Sequence, residues 1–142
     1  MEERRKPGDE AGPPSAPPLD AEALTGARLL AMSAEEFDRL PFGAIKLDEE
    51  GRVVAYNAAE AALARRATKS TLGRRFFEEI APCTNVEGFR GRLDALVARG
   101  EEATECFDFR FLFPWGVREV RIRLMVLRGG GRWVFVTALK RD

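Results

Sequence analysis

Alternating runs near the C-terminal end constrain this chain more than any other feature. Between Val117 and Leu127, the apolar Val120, Ile122 and Leu124 alternate with Arg121 and Arg123. A period of two places one set of side chains against a core and the other toward water only if the backbone is a β-strand. A run from Thr104 to Phe113 precedes it across the turn residues Pro114-Trp115-Gly116, and a run from Arg132 to Leu139 follows three glycines. Three consecutive strands joined by turns are therefore predicted.

Two more strands are predicted upstream. Ile45-Lys46-Leu47 and Val53-Val54-Ala55-Tyr56 flank Asp48-Glu49-Glu50-Gly51, whose glycine suits a hairpin turn. The residues between Asn57 and Gly73 favour short helices, with Asn57 as cap, and the segment from Asn85 to Arg99 places Phe89, Leu93, Leu96 and Val97 on one helical face before Gly100. Two strands, helices, then three strands imply an α+β architecture, a five-stranded antiparallel sheet with helices on one face.

The first 40 residues read differently. Residues 1–18 mix five prolines and two glycines with charges, a composition that buries too little apolar surface to offset chain entropy, and a flexible tail is expected. Over 19–40, Asp20 caps a predicted helix through Leu24, Leu29 and Leu30, and Ser33-Ala34-Glu35-Glu36 forms a capping box ahead of Phe37 and Leu40, stopped by Pro41. The apolar stripe is thin, so this N-terminal helical cap should depend on docking against the main domain, 41–142.

Composition removes several function classes. The chain has 142 residues, enough for one modest core, and its 23 basic and 23 acidic residues give no net charge to attract nucleic acid or an anionic membrane. There is no histidine, hence no imidazole general base, imidazole zinc site or histidine triad, and no enzyme is expected. Two cysteines are too few for a disulfide scaffold, and no apolar span of about 20 residues or signal peptide is present, so a cytoplasmic setting is expected.

The chemistry concentrates at Cys83 and at Tyr56-Asn57-Ala58-Ala59-Glu60. A thiol can hold a ligand covalently, while a phenol and a protonated carboxylic acid can both donate hydrogen bonds to a buried anion. Each residue also has a plainer reading. A lone cysteine is commonly an inert buried hydrophobe, and a tyrosine at a strand end is commonly a core aromatic with a wet hydroxyl. Asn57 to Glu60 also scans as a variant capping box in which Glu60 folds back on the Asn57 amide, and Arg66, beside Arg65, reads as solvated charge.

Four segments together carry a family resemblance: Pro41-Phe42-Gly43-Ala44-Ile45-Lys46-Leu47-Asp48, Tyr56 to Glu60, Phe76-Phe77 through Ala81-Pro82-Cys83-Thr84, and Trp133-Val134-Phe135-Val136. In this order they resemble the photoactive yellow protein (xanthopsin) family of blue-light receptors, which has the PAS fold; the similarity runs from about Leu40 to the C-terminus. The resemblance implies a para-coumaric acid chromophore attached to Cys83 by a thioester. It further implies that Tyr56 and Glu60 hydrogen-bond the phenolate, that Glu60 is the proton donor, that Arg66 shields the pocket, and that Phe76, Ile80 and Phe111 line it. The function implied is sensory transduction, in which light isomerises the chromophore from trans to cis, a proton moves and the N-terminal cap is released.

Output then passes to an unknown downstream signalling protein or through a homodimer. Two departures stand out: Ala64 replaces a threonine that supports the tyrosine in well-known members, and Phe113-Pro114-Trp115-Gly116 replaces a loop carrying a methionine. The competing readings are a PAS interaction module that binds no chromophore and mediates dimerisation, and, last, an acyl-transfer enzyme, which lacks a histidine to activate Cys83.

Overall fold

Five strands, β1 (Gly43–Leu47), β2 (Val53–Tyr56), β3 (Ala103–Phe113), β4 (Gly116–Val126) and β5 (Arg132–Ala138), form one antiparallel sheet in the order β2-β1-β5-β4-β3. The structure, a computed structural model, describes residues 20–129 and 131–139, and the tail expected over 1–18 lies outside the described residues. β1 and β5 pair at the centre, Ile45 opposite Val134 and Ala44 opposite Phe135, so the two sequence-distant strand groups become one sheet. The β1–β2 turn closes because Asp48 Oδ1 accepts from the Glu50 and Arg52 amides at 2.8 and 2.9 Å and Gly51 takes a φ of 81°.

Among the described residues four α-helices accompany the sheet: α1 (Gly26–Ala31), α2 (Ala34–Asp38), α3 (Ala58–Ala64) and α4 (Arg92–Ala98). The predicted capping box on α2 is present, with Ser33 and Glu36 bonding each other's backbone amides. The helix expected from Asp20 to Leu30 divides instead. Asp20 caps only the short turn Ala21–Ala23, and Thr25 then caps α1 through the Arg28 amide at 3.1 Å. Threonine favours a cap over a helix interior because its hydroxyl competes for nearby backbone groups. With α1 so short, Leu29 faces the sheet and Leu30 is 73% exposed. The helix expected from Asn85 begins as a wide π turn, Glu87–Gly91, where Gly88 and Gly91 weaken regular helix, and becomes regular at Arg92.

The sheet is covered on both faces. Val134, Val136, Ile122 and Leu124 point to an inner layer with Phe76, Phe77, Phe89, Leu93 and Leu96. Trp133, Phe135, Met125 and Ala44 point outward, where Ala21, Leu24, Leu29 and Leu40 of the N-terminal cap bury them. Burial of the consecutive Trp133-Val134-Phe135-Val136 follows from this double cover.

Candidate functional site

Glu60 occupies a position prepared by its neighbours. Tyr56 ends β2, and Asn57 caps α3: its Oδ1 accepts from the Glu60 amide at 3.0 Å and from the Ala44 amide of β1 at 2.9 Å. The reciprocal half of a capping box is absent, because the Asn57 amide donates to the Ala44 carbonyl and not to the Glu60 carboxylate. The Glu60 side chain instead turns inward over Gly43, where a Cβ would collide with Oε1. Glycine at 43 is what leaves room for the acid.

There Glu60 is 3% exposed, and among the described residues its Oε1 has no hydrogen-bond partner. Burial alone pushes its pKa from an ordinary 4.5 up to about 8, which keeps Glu60 protonated near neutral pH. Tyr56, also 3% exposed, is held well above the ordinary phenol value, first by burial and then by the Glu60 charge, with Arg66 acting in the opposite sense. Both side chains are therefore hydrogen-bond donors at neutral pH.

The thiol comes from a separate segment. Phe76–Ile80 forms a π turn and Pro82–Thr84 a short 3₁₀ turn, joined where the Ala81 amide donates to the Phe76 carbonyl at 2.8 Å. Pro82 starts that second turn with its missing N–H at a position that needs no donor, and the Thr84 hydroxyl donates back to the Ala81 carbonyl at 2.6 Å. Arg90 braces the segment from outside, reaching Glu78 and Asn85 at 3.1 Å each. Cys83 is a free thiol, partly buried.

These segments enclose a cavity of about 700 Å³. Tyr56, Glu60, Arg66, Phe76, Ile80, Cys83 and Phe111, all named as candidates from the sequence, line it together. Ala64, Phe113 and Trp115, which belong to the two departures singled out from the sequence, line it too, as do Arg65 and Glu79, to which the sequence reading gave no site role. For Phe113 and Trp115 the available signal was parity: Phe107, Phe109, Phe111, Phe113 and Trp115 alternate with other residues, and Phe111 had already been assigned inward.

Asn57 also ties the site to the N-terminal cap. Its Nδ2 donates to the Phe42 carbonyl at 2.9 Å and, at 3.4 and 3.5 Å, to the carbonyls of Phe37 and Leu40. Among the described residues, no helix is long and apolar enough to cross a membrane.

Comparison with known proteins agrees with this geometry. A family model described as the PAS fold matches residues 37–142. The photoactive yellow protein of Halochromatium salexigens is 37% identical over 114 residues, covering 78% of this chain and 89% of that protein. That of Rhodothalassium salexigens is 39% identical over 106 residues, covering 74% and 84%. Among solved structures, the photoactive yellow protein domain of the sensor histidine kinase Ppr from Rhodospirillum centenum superposes with a TM-score of 0.69 at 38% identity, over 78% of this chain and 96% of that domain. Sheet order and sequence identity thus converge, and the chain belongs to the photoactive yellow protein family within the PAS fold.

Proposed function

We propose that this protein is a blue-light receptor that carries a para-coumaroyl group as a thioester on Cys83. The observation that supports this reading best is the buried Glu60 carboxyl, whose Oε1 has no hydrogen-bond partner among the described residues, in the cavity that also holds Tyr56 and Cys83. An unsatisfied buried polar atom costs about 1–3 kcal/mol, so a ligand oxygen that accepts from Glu60 removes a standing penalty. When bound, the para-coumaroyl group supplies a phenolate oxygen and a double bond that light isomerises from trans to cis.

The chain's own residues divide the remaining work. In loading, Cys83 Sγ attacks the acyl carbon of an activated donor; the sulfur–carbon bond forms, the leaving group departs with its electron pair, and the thiol proton passes to solvent. Tyr56 Oη and the protonated Glu60 donate to the buried anionic oxygen and replace its lost hydration. Phe76, Ile80 and Phe111 exclude water, and Arg66 screens the site from solvent. Glu60 is the proton source. After it gives up its proton, a carboxylate is left buried over Gly43, and an unpaired buried charge favours local opening.

Asn57 gives that opening a direction, because it bonds the Glu60 amide on one side and the carbonyls of Phe37, Leu40 and Phe42 on the other. Release of the N-terminal cap is the signal, read by a downstream protein or by a second copy of this chain. Two free cysteines suit a reducing compartment such as the cytoplasm.

The test is reconstitution with activated para-coumarate, followed by intact mass and absorption. Wild type should gain one acyl group and a visible band that bleaches under blue light, and Cys83→Ala should gain neither. If wild type acquires neither mass nor band, the receptor reading fails in favour of a chromophore-free PAS interaction module.

A further inference from the structure

The β3–β4 turn reaches across the cavity wall and is fastened to the end of α3. Pro114 and Trp115 connect the paired residues Phe113 and Gly116, and Trp115 Nε1 donates to the Ala64 carbonyl at 3.2 Å. The Trp115 ring stacks on Phe113, with centroids 4.9 Å apart and planes 7° from parallel. The Arg65 guanidinium lies 4.0 Å from the Trp115 ring centroid. Among the described non-glycine residues, Arg65 is the one with a left-handed backbone, at φ 55°. Such a conformation at a long side chain is unfavourable and persists where surrounding structure requires it. Here it ends α3 and coincides with the guanidinium resting on the indole.

We propose that Trp115, latched by the Ala64 carbonyl and by Arg65, is the gate that sets the size of group able to reach Cys83. This rests on the reading that Cys83 takes an acyl group inside the cavity. The interior itself selects weakly, because about 700 Å³ is within the range that accommodates drug-sized ligands. Discrimination therefore falls to the wall that can move. Phe111 is buried in the central aromatic layer and cannot swing aside without disturbing the core, whereas Trp115 sits half-buried on a two-residue turn. Four contacts hold it: one hydrogen bond, one stack, the close Arg65 cation–π contact and a more distant one from Arg118 at 5.9 Å, each confined to a single neighbour. Residue 64 contributes only its backbone carbonyl to the latch, so a larger side chain there would not be needed for closure.

The test uses thiol reagents of two sizes and needs no acyl ligand. In a Cys106→Ser background, Cys83 is the remaining thiol, and its modification is followed by intact mass. Iodoacetamide forms the sulfur–carbon bond with loss of iodide and transfer of the thiol proton to buffer. A pyrene maleimide adds the thiol across its double bond, the proton going to the adjacent carbon. Rates are normalised to those of free glutathione. Trp115→Ala should raise the rate of the bulky reagent by roughly tenfold and that of iodoacetamide by about twofold or less, as expected for removal of a lid and not for general loosening. Trp115→Phe, which keeps an aromatic ring but lacks the N–H, and Arg65→Ala should each fall between wild type and Trp115→Ala, by roughly threefold, since each deletes one of the latching contacts.

An unchanged ratio of bulky to small reagent in all three variants overturns the gate, and so does an equal rise for both reagents in Trp115→Ala. Failure of para-coumaroyl loading in wild type, with the size-dependent alkylation intact, would instead sink the receptor reading and leave the gate standing.

Discussion

The inner face of the sheet is covered by a deep layer, in which Phe89 contacts Phe77, Phe107 and Phe109 edge to face at 5.1–6.1 Å and is itself fully buried. The outer face is covered by three helical pieces of three, six and five residues, Ala21–Ala23, α1 and α2. Helices that short do not persist alone in water, so the cap is ordered only while docked on Trp133, Phe135 and Phe42. The inner layer instead joins segments far apart in sequence into one packed unit. On the proposed reading the two faces divide the work: the inner face holds the buried Glu60 in a fixed place, and the outer face is the one that opens. Asn57 joins the two.

Truncation at the centre of each layer tests that asymmetry most strongly. Phe89→Ala should cost about 3–5 kcal/mol of global stability, the usual range for a buried aromatic, seen as a lower midpoint in urea unfolding. Leu24→Ala on the cap removes an equally buried side chain, yet its main effect should be faster amide exchange over 21–40, with a smaller change in global midpoint. Equal global losses for the two variants would erase the distinction between a core layer and a detachable one.

Asn57→Ala should come next, at about 2–3 kcal/mol, because it removes a helix cap and leaves the buried Ala44 amide without its acceptor. Exchange should rise both at the start of α3 and in the cap. A rise confined to α3 would show that the joint between the faces lies elsewhere.

Glu60→Gln sharpens the comparison through pH. In ligand-free protein the folded state holds the Glu60 proton more tightly than the unfolded state, since its pKa is raised from 4.5 to about 8. Its contribution to stability is therefore fully present below about pH 4.5 and is lost as pH rises through 8, with a slope of up to about 1.4 kcal/mol per pH unit in that window. Glu60→Gln should flatten this slope relative to wild type in urea titrations between those pH values. Parallel pH profiles would mean that Glu60 titrates normally and is not sealed in the folded state.

Much of the fold was legible because strand alternation is strong. The strands beginning near Thr104, Val117 and Arg132 lie within a residue or so of β3, β4 and β5. The short helices were less so. Thr25, a residue that favours caps, was the one sign of a break between Asp20 and Leu30; its place is set where Leu24 inserts into the outer core and the chain turns extended. At the site, the inward turn of Glu60 could not be separated from a capping box by spacing, because the deciding feature is the gap left by Gly43 on a neighbouring strand. The 113–116 loop stood out in the sequence, but its contact with Ala64 and Arg65 did not, for a related reason: Trp115 and Arg65 look like turn and surface residues until the hairpin folds back onto α3.

The smallest expected effect concerns Arg123, on the outward face of β4. Its Nη1 donates to the carbonyl of Ala21, which also accepts from the Leu24 amide at 3.4 Å, and at 2.6 Å to that of Leu24, where the chain leaves the first turn. Arg123 thus fastens the first turn of the cap to the sheet, far along the sequence from the Asn57 joint at the other end of the same segment. Because the guanidinium is partly exposed, water can take over its hydrogen bonds, and Arg123→Ala should cost about 1 kcal/mol. That corresponds to roughly fivefold faster exchange of cap amides that open locally, by the usual conversion of free energy to population. The loss should be greatest around 21–26 and fade toward α2, where Asn57 still holds the chain. Uniform acceleration across 21–40 would show instead that the cap detaches as one unit, with Arg123 and Asn57 as alternative fastenings of a single body.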